Sequence, residues 1–136
     1  MAVLLIGAST TMALSGCAGP PGVADRTYRG LPTSPALPEP ADPLPEEPMA
    51  SWLEDSNRIA LVTWGSSACP RVVTAIEARD ASTVQLTLEP SGREVCTADM
   101  SPTTHELTLP DDATGRPLTL LLTYTDWPEA TELTLE

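Results

Sequence analysis

The sequence predicts an all-β protein whose folded part is a small antiparallel β-sandwich, immunoglobulin-like in outline, with a small β-barrel as the alternative. Two observations lead to this prediction. From residue 51 onward, short runs rich in Val, Ile, Leu and Thr are separated by Gly, Pro, Ser and Asp, which favour turns. Within several of these runs apolar and polar residues alternate, which is the pattern of a half-buried strand.

The distribution of proline divides the chain of 136 residues. Nine of the 15 prolines lie between Pro20 and Pro48, and proline fixes its own φ and lacks a backbone donor. We therefore expect the proline-rich segment up to residue 50 to be a disordered tether, and residues 51–136 to be the β-domain. A domain of that size is marginally stable and commonly needs a covalent staple.

Six strands are predicted, each bounded by a turn signal. In chain order they cover residues 58–64, 71–78, 82–89, 105–109, 117–124 and 130–136. Helix propensity is weak everywhere. The sequence PMASWLEDSNR, residues 48–58, is the one stretch expected to form a short helical turn, with Ser51 as its cap.

The alternation identifies the residues that face the core. In the third strand Val84, Leu86 and Leu88 share one face, and Gln85 and Thr87 lie on the other. The same period places further residues on inward faces, namely Leu107 with Leu109, Leu118 with Leu120, Leu122 and Tyr124, and Leu133 with Leu135. These faces predict one apolar core between two sheets.

The N-terminal stretch has the pattern of an export signal. Residues 2–14, AVLLIGASTTMAL, contain no charge and have the length of a signal-peptide apolar region. This is too short for a transmembrane span, which needs about 20 residues. Because no Lys or Arg precedes the run, we expect the true start codon to lie upstream.

The next residues, Leu14-Ser15-Gly16-Cys17, resemble the lipobox of bacterial lipoproteins. This resemblance implies that residues 1–16 are a signal peptide, that the chain is cut before Cys17, and that the Cys17 thiol is acylated. Residues 17–50 would then be the lipidated cysteine followed by its disordered tether. The protein would then be anchored by lipid at the extracytoplasmic face of the cell membrane, where two acyl chains suffice for stable attachment. The alternative is a buried apolar element with an ordinary thiol at Cys17.

Residues 18–50 are predicted to be an unstructured tether with polyproline II character. The sequence LPEPADPLP, residues 37–45, has the proline content of that conformation, and the segment has too little apolar surface to collapse. At about 3.1 Å per residue it would reach roughly 100 Å when extended. The alternative is a ligand for a proline-binding module.

The cysteines fit an exported domain. With Cys17 lipidated, Cys69 and Cys96 remain as an even pair in an oxidising compartment. We predict that they form a disulfide that ties the loop after the first strand to the loop between the third and fourth. A metal-binding pair or two reactive thiols are the alternatives, but the CxxC spacing of such sites is absent.

The charge excludes one class of partner. Nineteen acidic residues against seven basic ones give a net charge of −12. Nucleic-acid binding needs a basic surface that neutralises phosphates, so nucleic acid is excluded as a partner. The acidity favours either a solvated surface or cation capture, and we predict a solvated surface.

The sequence offers little that indicates catalysis. Its single histidine, His105, lies on the same strand face as two leucines and is predicted to be partly buried. A hydrolase would need His105 to act with Ser66 or Ser67 and with Asp99, but no G-x-S-x-G elbow is present. We therefore predict no catalytic residues, no metal site and no cofactor.

Two further groups are candidates for binding. Asp99 and the pair Asp111-Asp112 would supply acidic loops for a cation or small solute, although Asp111-Asp112 is better explained as a turn. Among the tryptophans, Trp64 is predicted to belong to the core. Trp52 and Trp127 lie outside the predicted strands and are the candidates for exposed binding residues.

Residues 64–110 contain SSACP, CTAD and PTT in that order. Together with the lipobox and the proline-rich linker, this pattern resembles small secreted or lipid-anchored proteins of actinobacteria of uncharacterised function. The resemblance supports the Cys69–Cys96 pairing and implies no active site. We expect a non-enzymatic surface lipoprotein that binds or supports an envelope protein or a cell-wall component.

Overall fold

The computed structural model describes residues 19–33, 47–54 and 57–136, so that the lipobox with Cys17 lies outside the described residues. The described residues form eight strands and no helix. In chain order the strands are β1 (Arg26–Arg29), β2 (Met49–Trp52), β3 (Arg58–Gly65), β4 (Val72–Asp80), β5 (Thr83–Glu89), β6 (Ser101–Thr108), β7 (Leu118–Tyr124) and β8 (Thr131–Leu135).

The strands form two four-stranded sheets. Sheet A has the order β1-β6-β3-β2 and is antiparallel throughout, and sheet B has the order β4-β5-β7-β8. The two sheets pack as a small β-sandwich, which confirms the predicted fold class.

One strand pair differs from the antiparallel arrangement that the sequence predicts. In sheet B, β5 and β7 run parallel, with Val84 opposite Leu120 and Leu86 opposite Leu122. Parallel neighbours need a long crossover, and the chain provides one by passing through β6 in the other sheet. Sheet B is therefore mixed.

The core lies between the sheets and is built by the alternation read from the sequence. Val84, Leu86 and Leu88 of β5 have no exposed surface, and neither have the three inward leucines of β7. Sheet A supplies Ile59, Leu61 and Leu107. At roughly 1.5–3 kcal/mol for each fully buried side chain, this cluster is the main favourable term in folding.

All six predicted strands are present, with one boundary displaced by more than two residues. The fourth begins at Ser101 rather than His105, because β6 pairs with β3 over its whole length, from Arg58 opposite Thr108 to Gly65 opposite Ser101. Pairing along the whole of β3 therefore places Thr103 and Thr104 in the sheet, although the sequence there shows no alternation of apolar and polar residues.

The prediction that residues 17–50 form a disordered tether is wrong where the chain forms β1 and where residues 49–50 begin β2. Arg26–Arg29 is β1, which pairs with β6 at the edge of sheet A. These four residues contain no proline, so every backbone N–H that pairing with β6 needs is present. Cys17 with residue 18, and residues 34–46 of the predicted tether, lie outside the described residues.

The predicted helical turn over 48–58 is also wrong. Met49–Trp52 is β2, which pairs with β3, and Ser51 lies opposite Ala60 instead of capping a helix. Ala50 and Trp52 turn inward and pack against the core. Tertiary burial of these two side chains outweighs the weak local preference for a helix.

Candidate functional site

A cleft opens at the end of the sandwich where β3 and β7 finish and where β4 and β8 begin. Its volume is about 410 Å³, and we call it the aromatic cleft. Three aromatic side chains line it, Trp64, Tyr124 and Trp127, together with Arg71 and two acidic residues, Glu47 and Glu129. Concave sites with aromatic walls and a few polar groups are the usual form of a binding site.

Each aromatic residue reaches the cleft for a local reason. Tyr124 is the last residue of β7, so it continues the inward face of that strand and packs partly against the core. Trp64 stands near the end of β3 on the opposite face of its sheet from Leu61 and Thr63. Trp127 lies in the loop after β7 and is 58% exposed.

Arg71 is held in place within the cleft. Its Nη1 and Nη2 donate to the two carboxylate oxygens of Asp126, at 2.7 and 3.2 Å. Its guanidinium carbon lies 5.0 Å from the centre of the Tyr124 ring, which is a cation–π distance. The Arg71 hydrogen bonds lower the pKa of Asp126, so the pair stays ionised. A bidentate, stacked guanidinium loses little further freedom when a ligand binds.

The disulfide forms the boundary of an adjoining cleft. Cys69 and Cys96 are bonded, as the sequence predicts, with their Cα atoms 5.3 Å apart. The adjoining cleft has a volume of about 360 Å³ and shares Trp64 and Arg71 with the aromatic cleft. The bridge therefore fixes the loop that carries Arg71 against the loop between β5 and β6.

Ser66, Ser67 and Asp99 come together beside the disulfide. The Asp99 carboxylate accepts from the Ser67 backbone N–H at 3.1 Å, from the Ser101 hydroxyl at 2.7 Å and from the Thr97 hydroxyl. These hydrogen bonds, that of Thr97 first, hold the pKa of Asp99 well below its usual range. The cluster ties the ends of two loops and leaves few lone pairs of Asp99 for a ligand.

His105 lies elsewhere, in the core. It is 1% exposed, and its Nε2 and Nδ1 are 3.1 and 3.4 Å from the hydroxyls of Thr63 and Thr27. Burial lowers the pKa of His105 from 6.5 to about 4, so the ring is neutral at neutral pH. Since both ring nitrogens contact threonines, the structure does not join His105 to Ser66, Ser67 or Asp99.

The acidic loops do not converge. Asp111 and Asp112 form an exposed turn, as the sequence predicts, in which the Ala113 N–H donates to the Pro110 carbonyl at 2.9 Å. Across residues 19–33, 47–54 and 57–136, no three His, Cys, Asp or Glu side chains are placed to hold a metal ion. A membrane-spanning helix is likewise not found in these ranges.

The tryptophans differ from two of the three predictions. Trp127 is exposed, as expected. Trp64 is not part of the core cluster and lines the cleft instead. Trp52 packs against the core, donates through Nε1 to the Glu136 carbonyl at 2.8 Å and stacks under Arg116 at 3.9 Å. Successive side chains of a strand point to opposite faces of the sheet, and this explains both corrections. Trp64 lies on the outward face of β3, and Trp52 lies on the inward face of β2.

Sequence reasoning did not identify Arg71, Tyr124 or Asp126 as members of a site. The one local signal is Asp126-Trp127-Pro128, a polar and aromatic loop directly after a buried strand. Comparison with known proteins finds no matching protein family, no similar curated sequence and no similar solved structure. The resemblance to actinobacterial lipoproteins stays a prediction.

Proposed function

We propose that this protein is a lipid-anchored, non-enzymatic domain at the cell surface that binds another envelope component in the aromatic cleft. One observation carries the proposal. Trp127 leaves more than half of its surface exposed beside Trp64 and Tyr124, around a cavity of about 410 Å³. Burying such aromatic surface against a partner is strongly favourable, and Trp, Tyr and Arg dominate the hot spots of protein interfaces.

The charges of the cleft favour a partner of particular character. Glu47 and Glu129 stand at the cleft beside Arg71, whose charge is already neutralised by Asp126. The protein as a whole carries a net charge of −12. An anionic partner would be repelled over roughly a Debye length, so the best match is a protein surface that is apolar at its centre and neutral or basic at its rim.

The anchor part of the proposal rests on sequence. The lipobox Leu14-Ser15-Gly16-Cys17 follows an uncharged run, and the disulfide between Cys69 and Cys96 fits an oxidising compartment outside the cytoplasm. Mass spectrometry of the membrane fraction should find residue 17 at the N-terminus, carrying acyl chains. A mature chain that retains residues 2–16, or a membrane-bound Cys17→Ala variant, would contradict the anchor.

The binding part is tested by cross-linking in intact cells. A photo-reactive residue in place of Glu129 should give one dominant adduct with another envelope component, and Trp127→Ala should reduce its yield at least tenfold. Val95→Ala is the matched control, because Val95 is 84% exposed but lies outside both clefts. Equal yields for Trp127→Ala and Val95→Ala would refute binding in the aromatic cleft. An adduct to polysaccharide would replace the protein partner with a cell-wall one.

A further inference from the structure

Two acidic residues line the aromatic cleft without a cationic partner in the described part of the chain. Glu47 and Glu129 are both exposed. Among the residues that the structure describes, neither side chain takes part in an ion pair or a hydrogen bond. Arg71, which also lines the cleft, is already paired with Asp126 through both of its terminal nitrogens. The cleft therefore keeps two negative charges that the described chain does not neutralise.

Strand pairing explains why the two carboxylates belong to the same site as the aromatic residues. β2 begins two residues after Glu47, and its register with β3, continued backwards, puts Glu47 level with Trp64. β8 begins two residues after Glu129, and its register with β7 puts Glu129 level with Tyr124. β2 and β8 are edge strands of the two sheets and contact each other across the sandwich. The two acidic residues therefore reach the cleft from neighbouring edge strands, each level with an aromatic residue.

Two residues of the cleft are restricted by the proline that follows each of them. Glu47 precedes Pro48, and Trp127 precedes Pro128. A proline disfavours the helical region for the residue before it and leaves that residue an extended backbone. Trp127 is nevertheless 58% exposed. A restricted backbone loses little freedom when a ligand binds, so both side chains are suited to contact one.

The cleft already holds one cation against an aromatic ring. The guanidinium carbon of Arg71 lies 5.0 Å from the centre of the Tyr124 ring, and its charge is balanced by Asp126. In the described part of the chain, no cation lies over the rings of Trp64 or Trp127. Tryptophan is the aromatic side chain that attracts a cation most strongly. Two tryptophan rings and two carboxylates are therefore available to a second cation, which must come from a ligand.

We propose that the aromatic cleft takes the ammonium group of a lysine side chain on the partner protein. This assignment rests on the proposed function, because it names the group that the cleft receives. The apolar stem of the lysine would lie against the rings of Trp64 and Trp127, and its ammonium would be shared by Glu47 and Glu129. An ammonium suits two carboxylates from different strands because its donors rotate, whereas the planar fork of a guanidinium matches a single carboxylate.

A pair of model ligands tests the need for the charge. Nα-acetyl-lysine N-methylamide and Nα-acetyl-norleucine N-methylamide differ only in the ammonium group. Each is titrated into the full chain, and binding is followed by the tryptophan indole N–H resonances in NMR spectra. The lysine ligand should bind about tenfold more tightly than the norleucine ligand. Equal binding of the two, or tighter binding of the corresponding arginine ligand, would overturn the assignment to lysine.

Variants that remove one charge each test the two carboxylates. Glu47→Gln and Glu129→Gln should each weaken binding of the lysine ligand about threefold, and together about tenfold. Glu132→Gln is the matched control, because Glu132 is an exposed acidic residue of β8 that lies opposite Leu121 and outside both clefts. It changes the net charge by the same amount and should leave binding unchanged. Equal losses for Glu129→Gln and Glu132→Gln would overturn the proposal, because net charge alone would then attract the ligand.

Cross-linking in intact cells separates the lysine assignment from the proposed function. The photo-reactive residue is placed at Ala130, which also lines the cleft, so that both carboxylates are kept. An adduct that is lost both in Trp127→Ala and in the double variant of Glu47 and Glu129 supports the lysine assignment. An adduct that is lost in Trp127→Ala but kept in the double variant would overturn that assignment and leave the proposed function standing. An adduct that does not depend on Trp127 would refute both.

Discussion

Protonation of His105 should destabilise this protein between pH 7 and pH 5. The ring is buried in the core and contacts Thr27 and Thr63, which carry no charge. Burial therefore penalises the imidazolium and lowers the pKa of His105 from 6.5 to about 4. Over this range the unfolded chain binds a proton that the folded chain does not. Stability is therefore greatest above pH 6.5 and is lost as the pH falls towards 4.

The two pKa values set the size of the effect. Each unit of difference in pKa corresponds to about 1.4 kcal/mol, so complete protonation would cost the folded state about 3 kcal/mol. Between pH 7 and pH 5, before most carboxylates titrate, linkage gives a loss of about 2 kcal/mol. A small domain has a total stability of about 5–10 kcal/mol, so the loss is readily measured.

Urea unfolding at pH 7, 6 and 5 measures this loss, with His105→Gln as the comparison. Glutamine retains an amide that can contact the two threonine hydroxyls, but it does not titrate in this range. The natural chain should lose about 2 kcal/mol more than the variant between pH 7 and pH 5. If both proteins show the same pH dependence, or if the His105 ring titrates near pH 6.5 in the folded state, the account of its burial is wrong.

Three further predictions concern the fold. Replacing Cys69 and Cys96 by Ala should lower stability by about 3.5 kcal/mol in the chain-entropy model for a sequence separation of 27; an unchanged melting temperature would contradict a stabilising bridge. Leu86→Ala should cost about 2–5 kcal/mol of unfolding free energy because Leu86 has 0% exposure, whereas Leu121→Ala on the half-exposed side should cost less than half as much in the same denaturant titration. Gly115→Ala should be destabilising, because an added Cβ would lie 2.8 Å from a backbone oxygen of the turn between β4 and β5; a normal denaturation midpoint would mean that this turn moves freely.

The β-sandwich can be predicted from the sequence because, in its central strands, the alternation of apolar and polar residues matches the alternation of buried and partly exposed side chains. In β5 and β7 every second residue, up to Tyr124 at the end of β7, is a leucine or valine, and those leucines and valines are the buried residues. β1 and β2 were missed for a physical reason. Each is four residues long, and neither shows a clear apolar alternation. Their conformation is decided by the long strands they pair with, which a local pattern does not show.

The candidate site was less predictable than the fold. Trp127 is identified from its place in a loop, but Arg71 and Asp126 are 55 residues apart and meet only because the start of β4 and the end of β7 lie at the same end of sheet B. The prediction that Trp64 belongs to the core is wrong, because it rested on the apolar character of the side chain alone. Its position on the outward side of β3 depends on strand register, which was fixed by pairing with β6.

The position of β1 has a mechanical consequence. If Cys17 is anchored as proposed, force between the membrane and the folded body enters through the residues before Arg26, where the Val23 N–H donates to the Val73 carbonyl at 2.8 Å, and then acts on this four-residue edge strand. β1 is joined to the rest of its sheet along one side only, where it pairs with β6. Pulling would detach it before the central strands, and the eight-residue β6 would then present a free edge. Such an edge is a template for another strand, so tension of this kind would replace a four-residue edge by an eight-residue one that is able to accept a strand from a neighbour.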